Sequence, residues 1–181
     1  MNYIKRYHTP EGFSDLILVS DGSCLTGLCF EGTKDSKDAH GEEKDLPVFE
    51  ETVRWLDIYF QGKEPDFLPP YRLSAGSAFR EEVSEQMKQI PFGKTLTYGE
   101  LAETMAKKRG IKKMSAQAVG NAVGANPLCI IIPCHRVMGK DGNLTGYGGG
   151  LENKLALLKL EGVDTENFHF PKKKTKGAVA K

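Results

Sequence analysis

The chain has 181 residues, 39% of them hydrophobic, which suits one large globular domain or two small ones. No apolar run approaches the roughly 18–20 residues of a membrane span, and no signal-peptide core follows the charged start, so we expect a cytosolic protein. The net charge of +1 is unevenly distributed. Residues 1–74 carry 8 Lys and Arg against 14 Asp and Glu, whereas residues 75–163 carry 12 Lys and Arg against 8 Asp and Glu. Only the second half therefore has a charge that favours binding to a polyanion.

The first part of the chain predicts a small domain rich in β-structure. Two β-rich runs flank Asp21-Gly22-Ser23 and indicate a hairpin, and the charged residues 33–45 indicate a loop. Apolar residues then recur between Pro47 and Phe60 at a spacing typical of a helix, with Pro47 in its first turn. The connector Asp66 to Pro70 is rigid and marks a domain boundary. The domains we expect are 1–73 and 74–165.

Three consecutive helices are predicted in the second domain. The first, capped by Ser77, has one apolar face formed by Phe79, Val83, Met87 and Ile90. Thr97, with Glu100 three residues later, forms a capping-box pattern for a helix from Tyr98 to about Lys108. A third helix is expected from Ala116 to Val123. Helix–break–helix is typical of a helix-turn-helix, although many three-helix domains share it without binding DNA.

A reactive segment follows, in which the apolar run Ile130 to Ile132 leads directly into Pro133, Cys134 and His135. The run predicts a buried strand, and Pro133 must end it because proline has no N–H for the ladder. Cys134 then begins a turn, where backbone N–H groups and the local dipole favour a thiolate. In a turn His135 can approach the thiol, directly or through one water. The alternative is a buried structural cysteine beside an exposed histidine.

Residues 139–150 are rich in glycine and precede a last helix with leucines on one face. A phosphate-binding loop is the alternative for such a segment, but neither of the usual glycine spacings is present. The glycines therefore favour close approach of a ligand to the backbone. The Lys-rich end of the chain, 166–181, predicts a flexible tail that adds weak, salt-sensitive attraction to a polyanion.

Several motifs in the second domain belong together. They are PFGKTLTYGELA at 91–102, Asn126-Pro127, IPCHRV at 132–137, LTGYGGG at 144–150 and LLKLEG at 157–162. In this combination the chain resembles the O6-alkylguanine-DNA alkyltransferases, or methylated-DNA–protein-cysteine methyltransferases, closely over about 77–162 and loosely before that. The resemblance implies an α+β fold: a β-rich, ribonuclease-H-like N-terminal domain, then a mainly helical winged-helix or helix-turn-helix-like domain that carries the active cysteine.

The same resemblance implies direct repair of O6-alkylguanine, and of O4-alkylthymine, in DNA. Displacement at an alkyl carbon needs a thiolate, but a free thiol with a pKa of about 8.5 is mostly protonated at pH 7, so a base must take its proton. The damaged nucleobase cannot be reached inside a duplex and must be flipped out of the DNA. The thioether product is stable, which implies one turnover per protein molecule. By resemblance, Cys134 is the acceptor, His135 the base, Glu161 the carboxylate that orients it, Asn126 the hinge residue, and Tyr98 assists nucleotide rotation and the leaving group.

The remaining site residues are also assigned by resemblance. Tyr147 and the backbone of Gly148 would line the alkyl pocket, and the Val137 carbonyl would accept from the guanine amine. Ser115 and Gln117 would bind the minor groove of double-stranded DNA, and Arg136 would anchor the fold near the site. Gln117 stands where the family often has arginine, which weakens support for the flipped base. Gly148 replaces a serine of some members, so we expect a pocket open to bulkier alkyl groups.

The cysteine spacing raises the question of a metal site. The spacing Cys24-x4-Cys29 and Cys129-x4-Cys134 would suit a zinc site, but Cys134 must be free and the first pair lies in the hairpin. We therefore expect free thiols, no metal, no cofactor and a monomer that acts on DNA without a membrane.

Two other functions compete with repair. A non-catalytic lesion sensor of the same fold would lack the acceptor cysteine, which this chain has. A cysteine hydrolase would normally place its cysteine and histidine far apart in sequence, whereas here they are adjacent.

Overall fold

The N-terminal half forms a four-stranded sheet. The structure is a computed structural model and describes residues 1–74 and 76–172. The strands lie in the order β3-β2-β1-β4, and their bounds are Tyr3–Tyr7 for β1, Leu16–Ser20 for β2, Leu25–Phe30 for β3 and Glu42–Glu43 for β4. The predicted hairpin is confirmed as the antiparallel pair β2–β3. Its turn is held by the Asp21 carboxylate, which accepts from the N–H groups of Ser23 and Cys24.

One helix, α1 (Pro47–Tyr59), packs on this sheet and begins at Pro47 as predicted. Proline suits the first helical position because its missing N–H has no partner there in any case. The helix buries one face, which consists of Val48, Phe49, Thr52, Trp55, Leu56 and Tyr59. The segment 33–45, predicted as a loop, also contains β4 and a 3-10 helix, Lys34–Ser36.

The C-terminal half contains the predicted helices. Their bounds are Ala78–Lys88 for α2, Tyr98–Arg109 for α3, Ala116–Gly124 for α4 and Leu151–Leu160 for α5. The expected caps are confirmed: Ser77 Oγ accepts from the Arg80 N–H, and Thr97 with Glu100 forms a reciprocal capping box. A short parallel pair, β5 (Leu96–Thr97) and β6 (Val137–Met138), joins the start of α3 to the segment after Cys134.

The prediction of a strand at Ile130–Ile132 is wrong, because these residues form a tight turn. Ile130 has a φ of 68°, in the left-handed region, and the Ile132 N–H donates to the Leu128 carbonyl at 3.0 Å. Only Leu128 makes a bridge, to Leu28 of β3. The run is apolar because it is enclosed by both halves of the protein rather than because it joins a sheet. The two halves consequently share one hydrophobic core across this turn.

Phe168 and His169, which the prediction places in the flexible tail, are packed against the second domain. The His169 N–H donates to the Gly142 carbonyl at 3.0 Å, and the Leu144 N–H donates to the His169 carbonyl at 2.9 Å. Phe168 packs on a small cluster formed by Met138, Leu144 and Leu158. The rest of the predicted tail, from 173 onward, lies outside the described residues. Within the described ranges, no helix has the length and apolar character that crossing a bilayer requires.

Candidate active site

Cys134 begins a 3-10 turn, Cys134–Arg136, directly after Pro133. Asn126 fixes the preceding segment with three hydrogen bonds: its Nδ2 donates to the carbonyls of Ile132 (2.8 Å) and Leu128 (3.3 Å), and its Oδ1 accepts from the Leu128 N–H (3.1 Å). The thiol therefore sits at the end of a loop that one amide side chain holds in shape. Cys134 is buried, with 7% of the residue exposed.

The turn was expected to favour a thiolate, but burial acts in the opposite direction and dominates. Burial raises the pKa of Cys134 to about 11, and this effect outweighs the opposing influence of the Asn126 hydrogen bond and the Lys154 ammonium. The Cys134 N–H is itself occupied, because it donates to the Ile132 carbonyl at 2.8 Å. The thiol is therefore protonated at neutral pH and needs a base to react.

His135 is completely buried and is held by Glu161. Its Nε2 lies 2.7 Å from Glu161 Oε1, and the Tyr59 hydroxyl donates to the same oxygen at 2.7 Å. Arg136 donates to the carboxylate from Nε (2.9 Å to Oε2) and from Nη2 (3.0 Å to Oε1), and the Gly93 N–H donates to Oε2 at 3.1 Å. Five groups thus converge on one buried carboxylate.

The charge state of this cluster follows from these contacts. Burial opposes ionisation of Glu161, but the bonds from His135 and Arg136 hold its pKa well below the ordinary value. Burial also lowers the pKa of His135, against the opposing pull of Glu161. At neutral pH the cluster is therefore a Glu161 carboxylate, an Arg136 cation and a neutral imidazole. Because Nε2–H donates to the carboxylate, Nδ1 carries the lone pair.

His135 Nδ1 is the chemically available atom of the cluster. It is buried, and among the described residues it has no hydrogen-bond partner. An imidazole with one nitrogen fixed and the other free to accept is the arrangement that general-base catalysis requires.

A second group of side chains lies on the glycine-rich side of Cys134. The Tyr98 hydroxyl donates to the Thr145 carbonyl at 3.1 Å, and burial raises the pKa of Tyr98 to about 12, so the phenol is neutral and can donate. Lys154 donates from Nζ to the carbonyls of Val137 (2.6 Å) and Thr145 (3.2 Å). The Val137 carbonyl, expected to accept from guanine, therefore already has one donor. Burial lowers the pKa of Lys154 to about 8.

The other predicted residues fall into two places. Tyr147 is buried near Cys134, and Arg136 anchors the cluster by donating to the Ile90 carbonyl at 2.7 Å as well as to Glu161. Ser115 and Gln117 lie exposed at the start of α4, and Ser115 Oγ accepts from the Ala118 N–H as the helix cap. They form an outer surface, separate from the buried cluster.

Gly148 does not leave open space. A Cβ at this position would overlap the Asp35 carboxylate, with the carboxyl carbon only 2.6 Å away. The expectation of a pocket widened at Gly148 is therefore corrected: a side chain from the N-terminal domain fills the volume.

Tyr59, Lys154 and Asp35 were missed from the sequence. Tyr59 and Lys154 both stand on buried helix faces, where an ionisable or hydroxyl group among apolar neighbours is a signal for a polar partner. Asp35 stands in a charged loop and gave no comparable signal.

The cysteines carry no bridge. All four, Cys24, Cys29, Cys129 and Cys134, are free thiols. Within the described residues, no three His, Cys, Asp or Glu side chains are grouped so that they could hold a metal ion.

A small sheet domain is followed by a helical domain that buries Cys134 beside the His135–Glu161 pair, an arrangement that defines a cysteine-dependent enzyme. Two family models match the chain: the 6-O-methylguanine DNA methyltransferase ribonuclease-like domain over residues 3–71, and the DNA binding domain of the same family over residues 78–163. The chain therefore belongs to the methylated-DNA–protein-cysteine methyltransferase family, and this confirms the predicted fold class and enzyme activity.

Individual relatives agree with this assignment. The Haemophilus influenzae methylated-DNA–protein-cysteine methyltransferase is 38% identical over 162 residues, which cover 89% of this chain and 87% of the relative. The Methanosarcina acetivorans enzyme is 44% identical over 88% of this chain and 98% of its own. The crystal structure of Mycobacterium tuberculosis OGT in complex with DNA has a TM-score of 0.71 and 36% identity, over 88% of this chain and 91% of that one.

Proposed function

We propose that Cys134 accepts the alkyl group of O6-alkylguanine in double-stranded DNA, irreversibly and once per molecule. One observation carries the proposal: the buried, protonated Cys134 directly precedes a neutral His135 whose Nδ1 is unpartnered among the described residues and whose Nε2 is fixed by Glu161. A thiol that is inert at rest and a base that is oriented but unoccupied suit a protein that must not react until a lesion is bound.

The reaction moves one alkyl group from guanine to sulfur and one proton from the thiol to guanine. His135 Nδ1 takes the thiol proton, directly or through one water, and the sulfur attacks the alkyl carbon. The S–C bond forms as the C–O6 bond breaks, and the bonding pair leaves with guanine. The departing guanine takes up one proton, and the neutral Tyr98 hydroxyl assists its departure with a hydrogen bond. In the overall balance the thiol proton ends on guanine. The thioether has no leaving group for a return step.

DNA binding is assigned to the basic second half. The exposed start of α4, with Ser115 and Gln117, would enter the minor groove, and the target base would be flipped toward Cys134 because the thiol cannot reach it inside a duplex. Phosphate contacts from lysines make this binding salt-dependent. The DNA complex of the M. tuberculosis relative supports DNA as the partner, and we expect a monomer to act on it.

The test is transfer of a labelled methyl group. The full chain is incubated with duplex DNA that contains O6-[³H]methylguanine, and the label on protein is counted. We expect label on the wild type and on Cys24→Ser, which removes a half-buried thiol outside the cluster, and none on Cys134→Ser. A parallel duplex with O4-methylthymine should also transfer. Retained lesion binding by wild type without transfer would instead indicate a sensor.

A further inference from the structure

Asp35 of the N-terminal domain reaches the glycine-rich segment of the other domain. Its backbone N–H donates to the Gly148 carbonyl at 3.4 Å, and its carboxylate stands where a side chain at position 148 would be. The Gly148 backbone is not among those in the left-handed region, so its φ does not require glycine. The Asp35 carboxylate is therefore what excludes a side chain there.

The Asp35 carboxylate lies near the reactive thiol of Cys134. Burial is the main cause that raises the pKa of Cys134, Cys129 and Tyr147, and the negative charge of Asp35 adds to the rise at all three. Asp35 is half-buried, and burial raises its own pKa although Lys34 opposes this. Across the described ranges, its carboxylate has no ion pair and no side-chain hydrogen bond with another residue. A partly desolvated charge without a partner lowers stability, which points to a functional role for Asp35.

We infer that Asp35 determines which O6-substituents Cys134 accepts: it disfavours anionic substituents and limits the space for bulky ones. The inference rests on the proposed function, since it concerns the group transferred to Cys134. By the resemblance Tyr147 and Gly148 line the alkyl pocket, so a substituent longer than methyl would extend toward the Asp35 carboxylate that lies against Gly148. The nearby cation, Lys154, is already bonded to two carbonyl oxygens and so offers less compensation to an incoming anion.

The size of the effect follows from Coulomb's law. Two negative charges about 5 Å apart, in a medium of effective dielectric about 20, repel enough to change a rate on the order of 100-fold. Screening and adjustment of the side chain reduce this, so we expect at least a tenfold discrimination against a carboxymethyl group from charge alone.

The test compares two lesions under single-turnover conditions. Rates are measured with O6-methylguanine and O6-carboxymethylguanine duplexes for wild type, Asp35→Asn and Asp38→Asn. Asp38 is an exposed acid three residues on, so its variant has the same change in net charge. We expect the ratio of the methyl to the carboxymethyl rate to fall at least tenfold in Asp35→Asn and to stay at the wild-type value in Asp38→Asn. An unchanged ratio in Asp35→Asn, or an equal fall in both, overturns the inference while methyl transfer upholds the proposed function.

A second set of variants tests the contact with Gly148. Gly148→Ala should slow methyl transfer because its Cβ overlaps the carboxylate, and Asp35→Gly added to it should restore the rate. Asp35→Gly alone should raise transfer of a benzyl group relative to methyl. Additive effects in this cycle, with no restoration, would contradict the contact. Absence of methyl transfer by wild type would overturn the proposed function itself, and the inference with it.

Discussion

Replacement of Glu161 by glutamine tests the cluster most severely. The carboxylate accepts from five donors on four residues: Tyr59, Gly93, His135 and Arg136, the last through two nitrogens. Glutamine has one acceptor oxygen, and its NH₂ group cannot accept, so the donors around one carboxylate oxygen would lose their partner. Arg136 would also remain buried without a counter-charge.

The expected loss of stability is large for an isosteric change. Removal of one partner from a buried ion pair costs about 3–5 kcal/mol, because the remaining charge is left uncompensated. Equilibrium urea unfolding of the full chain measures the loss, and Glu152→Gln, an exposed acid in the first turn of α5, is the matched control and should change stability by less than about 0.5 kcal/mol. A loss below about 1 kcal/mol for Glu161→Gln would refute the assignment of Arg136 as a buried cation.

The same variant should also be impaired in catalysis. Loss of the carboxylate removes the group that fixes the imidazole tautomer, and general-base assistance contributes about 10²–10⁴ to a rate. Single-turnover methyl transfer, measured under conditions in which the variant is still folded, should therefore fall at least about 100-fold. Transfer at the wild-type rate by a folded variant would show that His135 needs no orienting carboxylate.

Three further predictions concern the pH dependence of transfer, the role of Asn126 and the role of Gln117. The methyl-transfer rate of wild type should show no tenfold rise per pH unit between pH 7 and 9, because the His135 pKa is lowered below this window and the Cys134 pKa of about 11 lies above it. Lys154, with a pKa of about 8, titrates within the window but does not take the thiol proton, so only a small inflection is expected from it. In His135→Gln any residual rate should rise about tenfold per pH unit as free thiolate forms, and a flat profile there would contradict the base assignment. Asn126→Ala should cost about 2–3 kcal/mol in urea unfolding, because three bonds that shape the turn before Cys134 are lost, and a change within 0.5 kcal/mol would refute its role there. Gln117→Arg should tighten binding to duplex DNA and steepen its salt dependence by about one unit of slope without altering stability, as read by fluorescence anisotropy across a salt series; an unchanged slope would remove α4 from the DNA interface.

The ionised Glu161 carboxylate should make the free energy of unfolding fall in acid. The folded pKa of Glu161 is depressed, so its contribution to stability is present above its unfolded pKa of about 4.3 and is lost as pH falls toward the folded value. The stability difference between wild type and Glu161→Gln should therefore shrink below about pH 4.3, when both are compared by urea unfolding.

Local features were predictable because their causes are local. The caps at Ser77 and Thr97 depend on side chains within three residues of the helix start, and the turn at Asp21 depends on its own carboxylate. The sequence was also enough to bring Cys134 and His135 onto one turn. The motifs, rather than periodicity, connected Glu161 to them.

Features that depend on contacts between distant parts of the chain could not be predicted from the sequence. The Ile130–Ile132 run is apolar because two domains enclose it, and a strand and a buried turn have the same composition. Tyr59 contacts Glu161 across 102 positions of the chain, and Asp35 meets Gly148 from another domain. The need for a base at Cys134 was predictable from the ordinary thiol pKa, whereas the further rise of that pKa depends on burial that only the fold imposes.

Intact-mass analysis tests the central claim most directly. The full chain is incubated with excess oligonucleotide duplex containing O6-methylguanine, its mass is followed over time, and the modified peptide is mapped. We expect one gain of about 14 Da, from a methyl group replacing a hydrogen, located on Cys134 and saturating at one per protein. Continued repair without a mass gain, or a methyl group on another cysteine, would contradict irreversible transfer to Cys134.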